Sequence, residues 1–370
     1  MEHYKTSFDG EIEEIPNIYV DNFERKDKIA YFLSHAHSDH TFSMYGRVNG
    51  ERLRVNGAKI YMSEETRTIL SINHWHYEMT LYDIVEPLKV GMTYSIDLPD
   101  GKSLEVTLIP VTHMIGAVMF LFKTEEKTVL YTGDFIMEQE EISSLKKLHD
   151  NSGNPLYIDT MYVDATFGHV GYMFFPSRSL CHSEVVNVIK TWLDNENCGV
   201  ALFHNCQYGY EDMHKEIYRK LGIKLFTGNL QMLNTYRQLY GPANVLTEDS
   251  DSKIHICKNR QPDMSHKGCG VSTGNDRRYL NIYVTVTQGA FFRPGQPAII
   301  RKTENSLHMC YPTHCSKSQL DYFIRYFSPA RFVKFPEFLV GVMRTERNIL
   351  NAFLIIAELC HLSLNIYQNM

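Results

Sequence analysis

Four side chains able to bind a metal stand within six positions of this chain, in Ser34-His35-Ala36-His37-Ser38-Asp39-His40. In extended backbone, residues two apart point the same way, so His35 and His37 can converge on one ion. Asp39 and His40 fall one turn further on, free to serve a second. Imidazoles with a carboxylate and no thiolate suit zinc or another borderline divalent cation in an open, reactive site, whereas a structural zinc more commonly uses cysteines and is closed. One histidine here would read as a core residue. Four potential ligands directly after the apolar run 29–33 read as a metal centre.

Two further segments supply ligands. Thr112-His113-Met114-Ile115-Gly116 follows the alternating stretch 104–111. Tyr131-Thr132-Gly133-Asp134-Phe135 follows the runs 118–122 and 128–132, which flank the polar turn KTEEK in a hairpin pattern that delivers Asp134 at its far end. Residues 161–163 form another short strand ending in Asp164. Each segment puts a ligand at a strand end, where loops gather into a site.

Behind these strands the pattern changes. From about residue 177, Val185, Val186, Ile189, Trp192 and Leu193 recur at helical spacing. A buried strand is expected at 200–203 and a helix at 211–221, with Gly222 where a helix C-cap belongs. This alternation describes a small α/β unit. The Gly/Asn/Pro/Lys-rich stretch 258–278 reads as exposed loop, and the chain ends as helix (319–327), strand (331–335) and helix (345–362).

At 370 residues, 44% hydrophobic and 22% charged, the chain is ordinarily globular but longer than one core usually supports, so a large domain with an insertion is expected. No apolar run reaches the length of a membrane span, so no membrane partner is expected. The acidic, polar N-terminus reads as no secretory signal. All eight cysteines (Cys181, Cys198, Cys206, Cys257, Cys269, Cys310, Cys315 and Cys360) lie in the second half without a C-x-x-C pair, which fits a reducing, intracellular compartment. The net charge of −6 argues against a nucleic-acid partner, but it hides an asymmetry. Residues 253–302 carry nine basic side chains against two acidic ones, an excess able to track a phosphate backbone.

The order H-x-H-x-D-H, a lone His, then T-G-D is the metallo-β-lactamase pattern. The segments YFLSHAHSDH, GAVMFLF, TVLYTGDF, YVDATF, FPSR, NCQYGYE and KIHIC, in that order, resemble the DNA cross-link-repair nucleases of its β-CASP branch. The resemblance spans nearly the whole chain and is most specific through residue 165. It implies an α/β fold: an αββα metallo-β-lactamase sandwich from 1–166 and 304–370, with an inserted β-CASP α/β domain at 167–303. It implies a first metal on His35, His37, His113 and Asp134, and a second on Asp39, His40 and a bridging Asp134, with His314 completing the second site. Asp21 would act from behind the ligands, and Asp164 is the acidic residue that opens the insertion. Asp39, Asp134, Asp21, Asp164 and His314 are thus the catalytic candidates. The implied cofactors are one or two active-site ions, zinc first, with zinc, magnesium or manganese second. Two such ions, about 3.5–4 Å apart, can bind a phosphodiester and acidify a bridging water.

The implied activity is DNA endonucleolysis at ends, overhangs or hairpins in double-strand-break repair, in the nucleus. A 5′-exonuclease, an RNA-processing nuclease, a small-molecule hydrolase and a non-catalytic binding scaffold are the rivals; the insertion speaks against the hydrolase. Met114, Ile115 and Ala117 depart from the family around the lone His, removing a hydroxyl near the phosphate. Lys317 stands between Ser316 and Ser318 where the family has an aromatic residue, and these three are candidate substrate contacts, as are Arg277 and Arg278 in the basic stretch. His255, Cys257 and Cys269 match three ligands of a structural zinc site, but Phe226 replaces the fourth, for which His266 could substitute. The family's long tail, which engages a repair kinase or ligase complex, has no counterpart after residue 370: either the chain is truncated or the protein is not regulated through such partners.

Overall fold

The computed structural model describes residues 8–24, 27–41, 44, 47–73, 81–98, 101–258 and 277–336. The chain divides into two compact units, 1–170 with 314–370, and 171–313. The return to the first unit falls at His314 rather than at 304. The expected helix at 345–362 and nearly all of the loop 258–278 lie outside the described residues.

The first unit holds two sheets. One is four-stranded and parallel: β1 (Ile18–Val20), β2 (Ala30–Leu33), β3 (Lys59–Ser63) and β4 (Val85–Leu88), in that order. The other runs β17 (Arg331–Phe335), β9 (Thr160–Asp164), β8 (Thr128–Tyr131), β7 (Val118–Lys123), β6 (Ser103–Pro110) and β5 (Thr93–Asp97). Strands β17, β9 and β8 are mutually parallel, and β8 to β5 alternate in direction.

Three buried clusters show how the layers stack. Val20, Ala30 and Phe32 from the first sheet meet Leu104, Val106, Phe120, Phe122, Tyr131 and Phe335 from the second. The far face of the second sheet packs Leu121, Leu130, Met161 and Val163 against Leu320, Phe323 and Phe327 of the helix Lys317–Phe327. The far face of the first packs Tyr31, Leu33, Ile60 and Met62 against Leu53 and Leu70 of the helices α1 (Arg47–Val55) and α2 (Glu64–Asn73). This is a four-layer αββα sandwich, the metallo-β-lactamase-like architecture expected. β7 is buried along both faces because each face meets a core, which is why VMFLF reads as one apolar run instead of alternating. Removing one of its rings, as in Phe120→Ala, would cost about 3–5 kcal/mol.

The second unit is one seven-stranded sheet. Its order is β12 (Leu246–Thr247), β11 (Leu225–Thr227), β13 (Ile254–Lys258), β10 (Cys198–His204), β14 (Arg278–Thr285), β16 (Ser306–Cys310) and β15 (Ile299–Thr303). All neighbours are parallel except β15 with β16. The helix α3 (Arg178–Leu193) leads into β10, α4 (Glu211–Leu221) connects β10 to β11 and α5 (Leu230–Tyr240) lies between β11 and β12; Lys317–Phe327 is α6. Gly222 closes α4 at φ 69°, in the left-handed region where glycine carries no Cβ penalty. Ser177 caps α3 by accepting from the Leu180 amide. Because β16 joins this sheet alongside β14, the hairpin β15–β16 belongs to the second unit, which is what moves the boundary past residue 304.

Candidate metal centre

Strands β6, β8 and β9 run in the same direction, so the loops after them emerge at one edge of the six-stranded sheet. His113 follows β6, Asp134 follows β8, Asp164 ends β9, and His314 lies just before α6. The segment after β2 brings His35 and His37 from extended chain. The amides of His40 and Thr41 then donate to the His37 carbonyl, a turn that swings Asp39 and His40 to a second position. Two glycines make the close approach feasible. A Cβ on Gly116 (φ 82°) would lie 2.8 Å from the Thr66 amide nitrogen, and one on Gly133 (φ 54°) 2.8 Å from the Ser34 Cβ.

The four residues expected to hold a first metal come together. His35, His37, His113 and Asp134 bring ligand atoms within 4.8 Å of one another. His37 Nδ1 lies 3.2 Å from His35 Nε2 and 2.9 Å from His113 Nε2. Asp134 Oδ2 lies 3.6 Å from His35, 3.2 Å from His40, 3.7 Å from His113 and 3.9 Å from His314. Asp39, His40 and Asp134 form a second convergent set, and Asp134, Asp164 and His314 a third. One carboxylate oxygen therefore faces four imidazoles.

Behind the ligands, Asp21 is fully buried and accepts four hydrogen bonds: from the Ser34 amide (2.7 Å), the Ser34 hydroxyl (2.6 Å), His40 Nδ1 (2.8 Å) and the Tyr131 hydroxyl (2.9 Å). Its φ of 51° is a conformation non-glycine residues rarely hold. The effect is to fix the His40 ring with Nε2 aimed at Asp134, the carboxylate–histidine support common behind metal ligands. Asp164 holds the His314 ring by accepting from its Nδ1 at 2.8 Å, the same nitrogen that lies 3.9 Å from Asp134 Oδ2. Ser34 was missed in the sequence: its Oγ lies 2.9 Å from His35 Nδ1. So were Tyr131 and Thr132, whose Oγ1 accepts from the Asp164 amide at 3.0 Å. Their signal was adjacency, since Ser34 precedes H-x-H and Tyr131-Thr132 precede the Gly-Asp.

The electrostatics fit a cation. Burial, reinforced by neighbouring imidazoles, holds His35 well below the usual histidine range, leaving its lone pair available. Burial opposes a charge on His40 too, but Asp134, Asp39 and Asp21 outweigh it and push it well above that range. His314 is likewise pushed up to about 9 against its burial, by Asp164 and Asp134. Burial raises Asp134, with His40 pulling the other way. Four carboxylates in this space draw protons onto two histidines. A divalent cation would supply the same charge, and imidazole nitrogens beside carboxylate oxygens are the donor set zinc accepts.

The remaining expected residues are placed as follows. Ser316 caps α6, its Oγ accepting from the Gln319 amide at 3.4 Å, and lies 3.3 Å from Ser318 Oγ. Lys317 Nζ is paired with Asp321 one turn along α6. In the second unit, Arg277 donates to the carbonyls of Asp251 and Ser252. Arg278 pairs with Glu304 and stacks over the Trp192 ring at 4.9 Å. His255 is buried, donates from Nε2 to the Ser252 carbonyl, and packs on Phe226 with ring centroids 4.8 Å apart. Cys257 is buried two positions further along β13. Cys269 and His266 lie outside the described residues.

A metallo-β-lactamase-like sandwich with buried His/Asp clusters able to hold metal at one sheet edge defines the class of this protein. The comparisons narrow it. The chain is 30% identical over 342 residues to human protein artemis, an alignment covering 88% of this chain and 48% of that protein. It is 28% identical over 202 residues to the DNA cross-link repair protein SNM1 of Arabidopsis thaliana (53% and 36% covered), and 24% identical over 309 residues to the 5′ exonuclease Apollo of Gallus gallus (82% and 57%). The chain is a sequence relative of the artemis and DNA cross-link repair proteins, and it spans about half the length of the artemis proteins it matches. No family model matches. Among solved structures, a protein of unknown function from Enterococcus faecalis shares the fold, with a TM-score of 0.50 at 15% identity, covering 83% of this chain and 75% of that one.

Proposed function

We propose that this chain is a metal-dependent DNA nuclease of DNA repair that acts in the nucleus and cuts internally at ends, overhangs or hairpins. The observation that carries the reading is Asp134, whose Oδ2 stands within 3.9 Å of ring nitrogens from His35, His40, His113 and His314. One carboxylate shared between two ligand sets is what a two-ion phosphodiesterase needs. His35, His37, His113 and Asp134 would hold the first ion, zinc by its donor set. Asp39, His40 and Asp134 would hold a second, with His314 at its edge. When bound, such ions supply Lewis acidity toward a phosphate and toward a water. The chain's own residues do the rest. Asp21 fixes the His40 ring, Asp164 fixes His314, and Asp39, about one-third exposed, is the carboxylate of the set best placed to meet incoming water. The relatives named for artemis and cross-link repair support DNA as the substrate.

The test is cleavage of end-labelled hairpin, overhang and single-stranded DNA, with and without a 5′-phosphate, beside matched RNA. Internal cuts that persist without a 5′-phosphate are expected. Strict dependence on that phosphate, with mononucleotides released, would assign the exonuclease activity for which Apollo is named. No cleavage of any of these by metal-loaded protein would end the reading.

A further inference from the structure

Phe291 is exposed to 64% in a backbone conformation that should have been selected against. Its φ is 61°, one of only three positive values at non-glycine residues among those described. A bulky side chain in the left-handed region costs free energy, and such residues persist only where their surroundings hold them. Here the surroundings do. The Phe291 amide donates to the Gly171 carbonyl at 2.8 Å, and the Phe292 amide to the Gly289 carbonyl at 3.0 Å. Gly289 is pressed so tightly that a Cβ would lie 2.6 Å from the Phe175 ring and 2.8 Å from Cys310 Sγ. The Arg293 amide donates to Gln296 Oε1 at 2.8 Å. The loop is pinned along its length, yet it presents its phenyl ring to water.

The stretch of sequence that carries that ring is basic. No acidic residue occurs from 277 to 303, a stretch holding Arg277, Arg278, Arg293, Arg301 and Lys302. Arg293, two positions after Phe291, is exposed and has no ion-pair partner among the described residues. Phe174 adds a second partly exposed ring on the chain segment that follows Gly171. An exposed aromatic face two positions from an exposed guanidinium suits a ligand with its own π-face and a negative backbone, which is single-stranded nucleic acid. A duplex hides the faces of its bases and offers no such partner.

We infer that Phe291 and Arg293 form a stacking platform for an unpaired strand, with a base against the Phe291 ring and the adjoining phosphate on Arg293. The inference rests on the nucleic-acid reading above and narrows it to substrates with unpaired bases. It is tested by anisotropy titration of metal-loaded protein with a fluorescent phosphorothioate oligothymidine, which resists cleavage, and with a blunt duplex. Phe291→Ala and Phe291→Gly should each weaken single-strand binding about ten-fold, and Phe291→Trp should retain it. Arg293→Glu should weaken it and lower the logarithmic salt slope by about one. Duplex affinity should not respond to Phe291→Ala. Phe291→Gly should melt at or above the wild-type temperature, because glycine accepts this φ, so its loss of binding would not be a loss of fold. Unchanged oligothymidine affinity in both the Ala and Gly variants would overturn the platform alone. A wild-type protein that binds neither oligonucleotide would overturn the nucleic-acid reading and the platform with it.

Discussion

Each unit of this protein buries a group of histidines, and the two groups are chemically opposite. In the first unit His35, His40 and His113 are buried among Asp21, Asp134 and Asp164. In the second, His204 is stacked on Tyr210 (4.2 Å between centroids, 17° apart) and on His214 (4.9 Å, 22°). Among the described residues, neither His204 nitrogen has a hydrogen-bond partner, and His214 is held only through Nδ1 by the Tyr236 hydroxyl at 2.9 Å. Burial pushes His204 down to about 3 and His214 well below its usual value, and no carboxylate offsets either. Burial alone makes a histidine a neutral ring in a core. Burial among carboxylates makes it part of a charge-balanced site with room for a cation in its electrostatics.

The largest effect should come from separating these roles. Asp134→Asn keeps the shape of the side chain and removes the charge that faces four imidazoles, so cleavage of end-labelled DNA should fall by orders of magnitude while the protein still folds. The double variant His204→Phe with His214→Phe, which fills the same space with rings that need no partner, should cut normally. Near-normal turnover in Asp134→Asn would remove the two-ion account.

A smaller effect is expected one layer out. Asp21→Asn weakens four hydrogen bonds at once, among them the one that orients His40. Metal affinity, measured by competition with a chromophoric chelator, should drop about 10–100-fold. An unchanged affinity would mean that the His40 ring is fixed by packing alone.

How much of this was legible in the sequence follows from range. H-x-H-x-D-H and T-G-D are local patterns at the ends of apolar runs, and the residues they mark converge in the fold. Asp21, Asp164 and His314 came only through resemblance, because a lone acidic residue after a short strand carries no local signal of the histidine it will meet. The expected boundary at 304 cuts the β15–β16 hairpin, leaving β16 outside the second unit, because the pairing of β16 with β14 is long-range and parallel. The stack of His204 on Tyr210 was hidden for a related reason. The run 200–203 announces a buried strand, but nothing nearby says that the polar residue closing it stays inside.

A separate effect, on stability against acid, sets the second histidine group apart. The folded pKa of His204, about 3, lies below its unfolded value of about 6.5. Below pH 6.5 the unfolded chain binds a proton the native state refuses, so stability is full above pH 6.5 and is lost as pH falls toward 3. The slope is about 1.4 kcal/mol per pH unit for each such histidine. Glu211 runs the other way. Burial raises it to about 7, so its contribution is full below the ordinary carboxylate range and is lost as pH rises toward 7. It therefore offsets part of the histidine slope above about pH 4.5 and none of it below. His204→Phe should shift the acid-unfolding midpoint, followed by circular dichroism, to lower pH. A midpoint that does not move would mean that His204 is already charged in the folded protein.

The central claim is that one group of buried histidines holds metal and the other does not. Elemental analysis of freshly purified protein tests it directly, with wild type, His35→Ala/His37→Ala and His204→Phe/His214→Phe compared side by side. Near-stoichiometric zinc or a similar divalent ion is predicted in wild type and in the second-unit variant, and loss of most of it in the first-unit variant. Wild type that carries no metal and takes up none on addition, or that keeps its metal without His35 and His37, would contradict the account.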